Sequence, residues 1–397
     1  MNISADLGIL VVIAGVGIAV KWLKFPYTPA LVLVGTVIGF WKIFPTIHFT
    51  PQLLFTVLLP PLLFEGSLRL PWKTLKENGI TIFLLAVPGV LLTIFILAPL
   101  FHFFLPFSFP VSFLLAALLA ATDPVAVLNT FRSLSVDENL SMLMEGESLF
   151  NDGTAMAAFG ITLVILQTGV WSPMGSFIQF LEISLGGLIL GGILGLLFTL
   201  ITRHLNDHLI EITLSTILAY GSYLSAVEIH VSGLLAVVGA GLVYGNAAAQ
   251  YGLSPEVKRL LFDVWEYFGF LTNSIIFLLI GTQVNSRYIL GYWKPVFLVY
   301  LCLMAARFVM AGLSWTAVRF FRQKFPVKWL GIVWWGGLRG ALSLALAMGI
   351  SSSIPDHKAL FFITLGVVIL FLMVNGLTTG VWVRGLGLSS AKTVNHS

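Results

Sequence analysis

The stretch "AATDPVAVL", residues 120–128, decides how the chain folds. It sits inside a long apolar run, in a segment that opens near residue 109, so Asp123 falls about 20 Å along a helix at 1.5 Å per residue. Pro124 removes a backbone N–H and pushes Asp123 towards an extended conformation. The segment is therefore expected to break in mid-membrane. Broken helices at that depth are tolerated where they line a cavity, and their free carbonyls can bind cations. A simple proline kink is the plainer reading. An Asp directly before the proline weighs against it, because an ionisable residue at that depth is costly and serves a cavity, a partner or a pathway.

Composition supports the membrane setting. Of 397 residues, 58% are hydrophobic and 10% charged, against about a quarter charged in soluble domains; the mean hydropathy is +0.99. The single cysteine, Cys302, excludes an intramolecular disulfide. The first apolar stretch, "LGILVVIAGVGIAV", lacks a preceding basic region and reads as a span rather than a cleaved signal. With roughly 20 apolar residues per spanning helix, spans fall near 6–20, 27–41, 51–68, 78–101, 109–131, 139–168, 175–202, 208–227, 231–248, 257–283, 290–318, 329–350 and 358–383. Thirteen spans place the termini on opposite sides. Of the 21 Lys and Arg, only Lys42, Arg287, Lys294 and Lys358 fall on outer loops if the N-terminus is outside. Arg307 and Arg339 lie in mid-span, and the other fifteen face the cytoplasm. That bias sets the orientation. The net charge of +4 then reflects basic loops against anionic lipid, with no call for nucleic acid. The tail after Arg384 is too short for a soluble regulatory domain.

The second irregular stretch is "WWGGLRGALSLA", residues 334–345, where Gly336, Gly337 and Gly340 surround the buried Arg339. Glycines in a span often mean only close packing, but these bracket a charge. The two breaks fall in spans 5 and 12, seven apart, and an odd offset inverts topology. The expected fold is an all-α polytopic membrane protein of about thirteen helices, with two inverted six-helix repeats and two broken crossing helices. Corresponding broken segments in two halves point to a transporter's site.

Span six, "GESLFNDGTA" at residues 146–155, adds Glu147, Ser148, Asn151 and Asp152. Ser148 and Asp152 are one turn apart with Asn151 beside them, which makes an oxygen-rich stripe. Glu147 is about 140° from Asp152 on the wheel and points elsewhere. Such a stripe can be interhelical glue, although glue does not need an Asp. In "LLPPLLFEGSLRL", Pro60 and Pro61 disturb span three, and Glu65 follows within about one turn; a Glu reaching for the interface is the competing reading. Asp263 and Glu266 stand near the cytoplasmic end of span ten, as an acidic entrance or a solvated helix end. Apart from the weak pair His204 and His208, the histidines show no metal-ligand spacing, so no metal centre is assigned. No phosphate-binding glycine loop, HExxH or GxSxG motif is present, which argues against an enzyme. A nucleotide-driven pump would need a soluble domain for which there is no room.

"ATDPVAV", "GESLFNDG" and "GGLRGALSLALA", in that order, with "PPLLFEGSL" before them and the Arg307 region between the last two, resemble the monovalent cation:proton antiporters of the bacterial NhaP type, relatives of the eukaryotic sodium/proton exchangers. The resemblance covers essentially the whole chain. It implies that Asp152 binds the cation or the proton, that Ser148 and the backbone carbonyl of Thr122 are further sodium ligands, and that Glu65 reaches the ion, directly or through water. It implies that Asp123 holds the opposite broken helix through its backbone N–H groups, that Glu147 pairs with Arg307, and that Arg339 is the Arg of the second broken helix. Asn151 stands where electrogenic relatives carry a second Asp, which implies electroneutral exchange, one sodium (or lithium) for one proton.

The architecture implied is a homodimer in the bacterial inner membrane. An interface domain is expected over 1–76, and core transport over 77–170. Residues 171–288 hold a linker span and the remaining interface spans. Core transport resumes over 289–386, and 387–397 form a cytoplasmic tail. The long regulatory tail of the eukaryotic members is missing. No cofactor is implied; the partners are a monovalent cation, protons and membrane lipid. A potassium-preferring antiporter is the main alternative and a channel a remote one. An intramembrane aspartyl protease using Asp123 and Asp152 lacks its YD and GxGD pattern.

Overall fold

The computed structural model describes residues 3–23, 25–41, 50–205, 207–251, 255–284, 291–321, 323 and 325–389. Lys24, Lys42, Arg287, Arg322, Lys324 and Lys392 of the charge count, with His48, His396 and the tail beyond residue 389, lie outside the described residues. Helices make up nearly all of what is described, and no strand occurs among the described residues. Among the described residues, seven helices are long and apolar enough to cross a membrane; of the shorter apolar helices, Leu7–Leu23 and Tyr27–Trp41 precede them, and Phe109–Leu118 and Gly233–Ala247 lie between them.

The sequence explains where helices start and stop. Asp137 accepts the N–H of Asn139 at 2.7 Å and opens the helix Glu138–Thr168, which ends at Gly169 with φ +69°. That conformation is cheap only for glycine. Asp207 caps His208–Glu228 through the N–H groups of Leu209 and Ile210. Pro60 and Pro61 leave their mark one turn upstream. Proline's ring clashes with the carbonyl four residues earlier, and the chain widens into a π turn over Leu53–Leu58 before Leu59–Arg69 resumes as α-helix. A second π turn, Leu372–Gly376, separates His357–Phe371 from Leu377–Gly385.

Packing contacts join Gly233–Tyr251 to Pro173–Thr202 and Leu59–Arg69, and Pro255–Thr282 to Tyr27–Trp41 and Leu59–Arg69. A second set of contacts joins Trp72–Ala86 to Glu138–Thr168, and Pro88–Phe104 to Phe109–Leu118 and Trp293–Phe320. Gly191 lets two helices of the first set touch backbone to backbone: a Cβ there would land on the Ala236 carbonyl. Small residues drive helix association in lipid by permitting such approach. Between the sets, Glu138–Thr168 meets Gly233–Tyr251, with Gly153 against the Leu235 side chain.

Candidate functional site

Both expected breaks are present. One helix stops at Leu118 and resumes at Val125; the other stops at Trp335 and resumes at Ala341. The two interruptions touch. The Asp123 N–H donates to the Leu338 carbonyl at 2.9 Å. The Asp123 carboxylate accepts from the N–H of Val125 at 3.0 Å and from the N–H of Ala341. In return, Arg339 sends Nη1 to the carbonyls of Ala121 at 3.0 Å and Ala120 at 3.3 Å. An anion thus faces the N-terminus of one half-helix and a cation the C-terminal side of the other, the favourable sense for helix dipoles. Gly340 is needed for this approach, since a Cβ there would fall on the Asp123 carboxylate. Asn375, aimed by the second π turn, donates to the Trp335 carbonyl at 2.9 Å and accepts from the Tyr300 hydroxyl at 2.8 Å. It satisfies a carbonyl that the second break leaves open.

The stripe on Glu138–Thr168 faces the first break. Ser148 donates its hydroxyl to the Thr122 carbonyl at 2.7 Å. Asn151, fully buried, donates Nδ2 to the Thr122 hydroxyl at 2.6 Å and accepts the Thr122 N–H at 3.3 Å. Thr122 is therefore fixed at its amide, its carbonyl and its side chain. Asp152, Ser148, Thr122, Asp123 and Glu65 all line one cavity of about 80 Å³, room for a small cation and several waters. Among the described residues, the Asp152 carboxylate has no hydrogen-bond or ion-pair partner.

Glu147 faces away from this cavity. It meets Arg307 in a two-pronged pair, Nη1 to Oε1 at 2.6 Å and Nη2 to Oε2 at 2.9 Å. Arg307 Nε also donates to the Val333 carbonyl at 3.0 Å. The two side chains are only 1% and 5% exposed, respectively.

Glu65 lies on the cavity wall, with Arg69 Nε 2.9 Å from its Oε1 as an ion pair without hydrogen-bond geometry. Arg69 continues to Glu266 at 2.7 Å, so Glu266 anchors this chain of charges, while Asp263 is exposed and away from the cavity. Two polar lining residues carry no expectation from the sequence, Glu145 and Ser343. Glu145 was within reach of a wheel argument: seven residues are two turns less about 20°, so it shares the face of Asp152. Ser343 carries no such signal, because its place depends on how the second break folds back.

A family model described as sodium/hydrogen exchanger, transmembrane, matches residues 8–385. The chain is 36% identical over 367 residues to the Na(+)/H(+) antiporter ApNhaP of Aphanothece halophytica, covering 92% of this chain and 70% of that protein. It is 34% identical over 385 residues to the Na(+)/H(+) antiporter NhaH of Halobacillus aidingensis, covering 93% of this chain and 94% of that one. The solved structure of the sodium proton antiporter MjNhaP1 from Methanocaldococcus jannaschii at pH 8 superposes with a TM-score of 0.78 at 22% identity, covering 98% of both chains. At that identity the likeness shows a shared fold.

Proposed function

The chain belongs to the sodium/hydrogen exchanger family, and from that premise we propose that it exchanges sodium for protons across a membrane through alternate neutralisation of Asp152. The observation that carries this reading is the isolation of that carboxylate. It shares a cavity with a hydroxyl and a backbone carbonyl at a helix break, and the other unpaired carboxylate on the wall, Glu145, stands about 10 Å away along the helix axis. A carboxylate out of water is more stable when neutralised. A proton does this, and so does a cation that finds further hard oxygens at Ser148 and Thr122. The two compete for one site, and their competition couples the fluxes. The Ser148 hydroxyl turns its hydrogen away from the Thr122 carbonyl when both oxygens face a cation.

Asp123 is committed to backbone N–H groups, and Glu147 to Arg307, so neither follows Asp152 through its cycle. Glu65 keeps the cavity wall negative while tied to Arg69. The core we infer comprises 77–170 and 289–386. It moves past an interface group that pairs two copies of the chain, with the N-terminus outside and no cofactor taking part. Lithium fits the same ligands as sodium. Potassium is larger, and the fixed Thr122 disfavours a wider shell.

Proteoliposomes carrying a proton-sensitive dye test the reading. An inward sodium gradient is expected to drive proton efflux, lithium to do the same and potassium to do so poorly. Asp152→Asn should abolish exchange while the extracted protein remains monodisperse. Undiminished exchange by a correctly inserted Asp152→Asn protein would sink the mechanism.

A further inference from the structure

Serines in membrane helices commonly return their hydroxyl to a carbonyl three or four residues back. Ser67, Ser215, Ser222 and Ser274 do so here. Ser343 does not. Three and four residues before it stand Gly340 and Arg339, which belong to the break rather than to a helical turn. Its side chain is 1% exposed, and its Oγ has no hydrogen-bond partner among the described residues. A buried hydroxyl left alone forfeits its hydrogen bonds to water with nothing in return, so such groups in folded proteins call for an explanation. Thr28, Ser112 and Ser184 are also unpartnered, but none of them lines the site cavity. Ser343 does, on the wall formed with Gly340, Ala341 and Leu342, in the cavity that holds Asp152 and Ser148.

We propose that Ser343 Oγ is a further ligand of the transported cation, supplied by the second broken helix, bound directly or through one water. The inference rests on the exchange reading above and completes the site. Without it, every ligand to the ion comes from the first break and the helix Glu138–Thr168. With it, the ion is held between both interrupted helices, and its arrival satisfies the one hydroxyl on the cavity wall that the protein leaves unpaired. A neutral oxygen adds a ligand without adding charge, so it tightens the cation and leaves proton binding at Asp152 untouched. Ser343 therefore sets how well sodium competes.

Two variants separate this role from packing. Ser343→Ala removes the oxygen. Ser343→Cys keeps the volume and burial and replaces a hard ligand by sulfur, which suits hard cations poorly. Each protein is purified in detergent for sodium-dependent thermal stabilisation and reconstituted for dye-reported exchange. In sodium-free buffer, Ser343→Ala is expected to melt no lower than the parent, because an unpaired buried hydroxyl has been deleted. In both variants the sodium concentration for half-maximal exchange should rise about three- to tenfold, the worth of one neutral hydrogen-bond-class contact. The maximal rate should hold. Half-maximal concentrations within about twofold of the parent in both variants overturn the proposal. So does a defect in maximal rate alone, or a Ser343→Ala protein that melts lower without sodium. If Ser343→Ala is not recovered from membranes, Ser343→Cys decides by the same criteria. Failure of the exchange reading looks different: the parent protein itself then shows no sodium-driven proton movement.

Discussion

Glu147 and Arg307 meet through both oxygens and both terminal nitrogens, at 2.6 and 2.9 Å, in a place almost closed to solvent. They come from helices 160 residues apart in the chain, so the pair ties Glu138–Thr168 to Trp293–Phe320. Removing one partner of a buried pair leaves the other uncompensated, which costs about 3–5 kcal/mol. Glu147→Gln and Arg307→Gln are each expected to lower folded yield and melting temperature. The double change should recover part of the loss, because no lone charge remains. Thermal melts of the four proteins form the cycle, and strict additivity would refute the coupling.

Gly340 is the narrowest point of the crossing. A methyl group there meets the Asp123 carboxylate, and overpacking of this kind costs about 1–3 kcal/mol or more. Gly340→Ala should prise the two breaks apart and abolish exchange. Asp123→Asn makes a milder contrast: its amide oxygen still accepts from Val125 or Ala341, so the protein should fold yet exchange slowly. Comparing initial rates at equal reconstituted protein checks both, and a Gly340→Ala protein with parental rates contradicts the described crossing.

The parts of this site that follow from local chemistry were legible in the chain. Pro124 and the glycines around Arg339 announce both interruptions, because each alters what the backbone itself can do. The spacing of Ser148 and Asp152 gives a shared face by helical geometry alone, and the 140° offset of Glu147 places it elsewhere. What the spacing leaves open is long-range. Nothing local says that Arg339 reaches the carbonyls of Ala120 and Ala121, or that Asn375 closes the end of the second half-helix. Glu65 illustrates the same limit. Its depth and its neighbouring prolines were readable, but its ion pair with Arg69 competes with any attraction to an ion, and the onward link to Glu266 spans 197 residues. Glu145 differs again: it shares the Asp152 face two turns earlier, but stands outside the run of oxygen-bearing side chains at 147–152 that marks the stripe.

Glu145 gives the third prediction. It lines the cavity on the face of Asp152, about 10 Å before it along the helix axis. A carboxylate there raises the local concentration of cations without binding the final site, an effect that salt screens over a Debye length of about 10 Å at 0.1 M. Glu145→Gln should raise the half-maximal sodium concentration several-fold at low ionic strength. The difference should shrink when choline chloride raises ionic strength. A defect that persists unchanged in high salt would mean that Glu145 touches the ion itself.

The fourth prediction is that exchange is electroneutral, one cation for one proton. Net charge movement requires a second group whose occupancy changes during the cycle. Asn151 cannot titrate, and both ends of its amide are taken by Thr122. Asp123 has the N–H groups of Val125 and Ala341 as fixed partners, and Glu147 has Arg307. Glu65 is paired with Arg69. Asp152 and Glu145 are the cavity carboxylates with no fixed counterpart among the described residues, and Glu145 stands about 10 Å from Asp152 along the helix axis, so a passage that turns over Asp152 alone carries one positive charge in either direction. An imposed membrane potential, set with valinomycin and a potassium gradient, is therefore expected to leave the rate of sodium-driven proton movement unchanged. On a solid-supported membrane, a sodium jump should give at most a brief binding transient. A sustained current that grows with turnover would require a second titrating group, and Glu145, unpaired on the cavity wall, would be the first to examine.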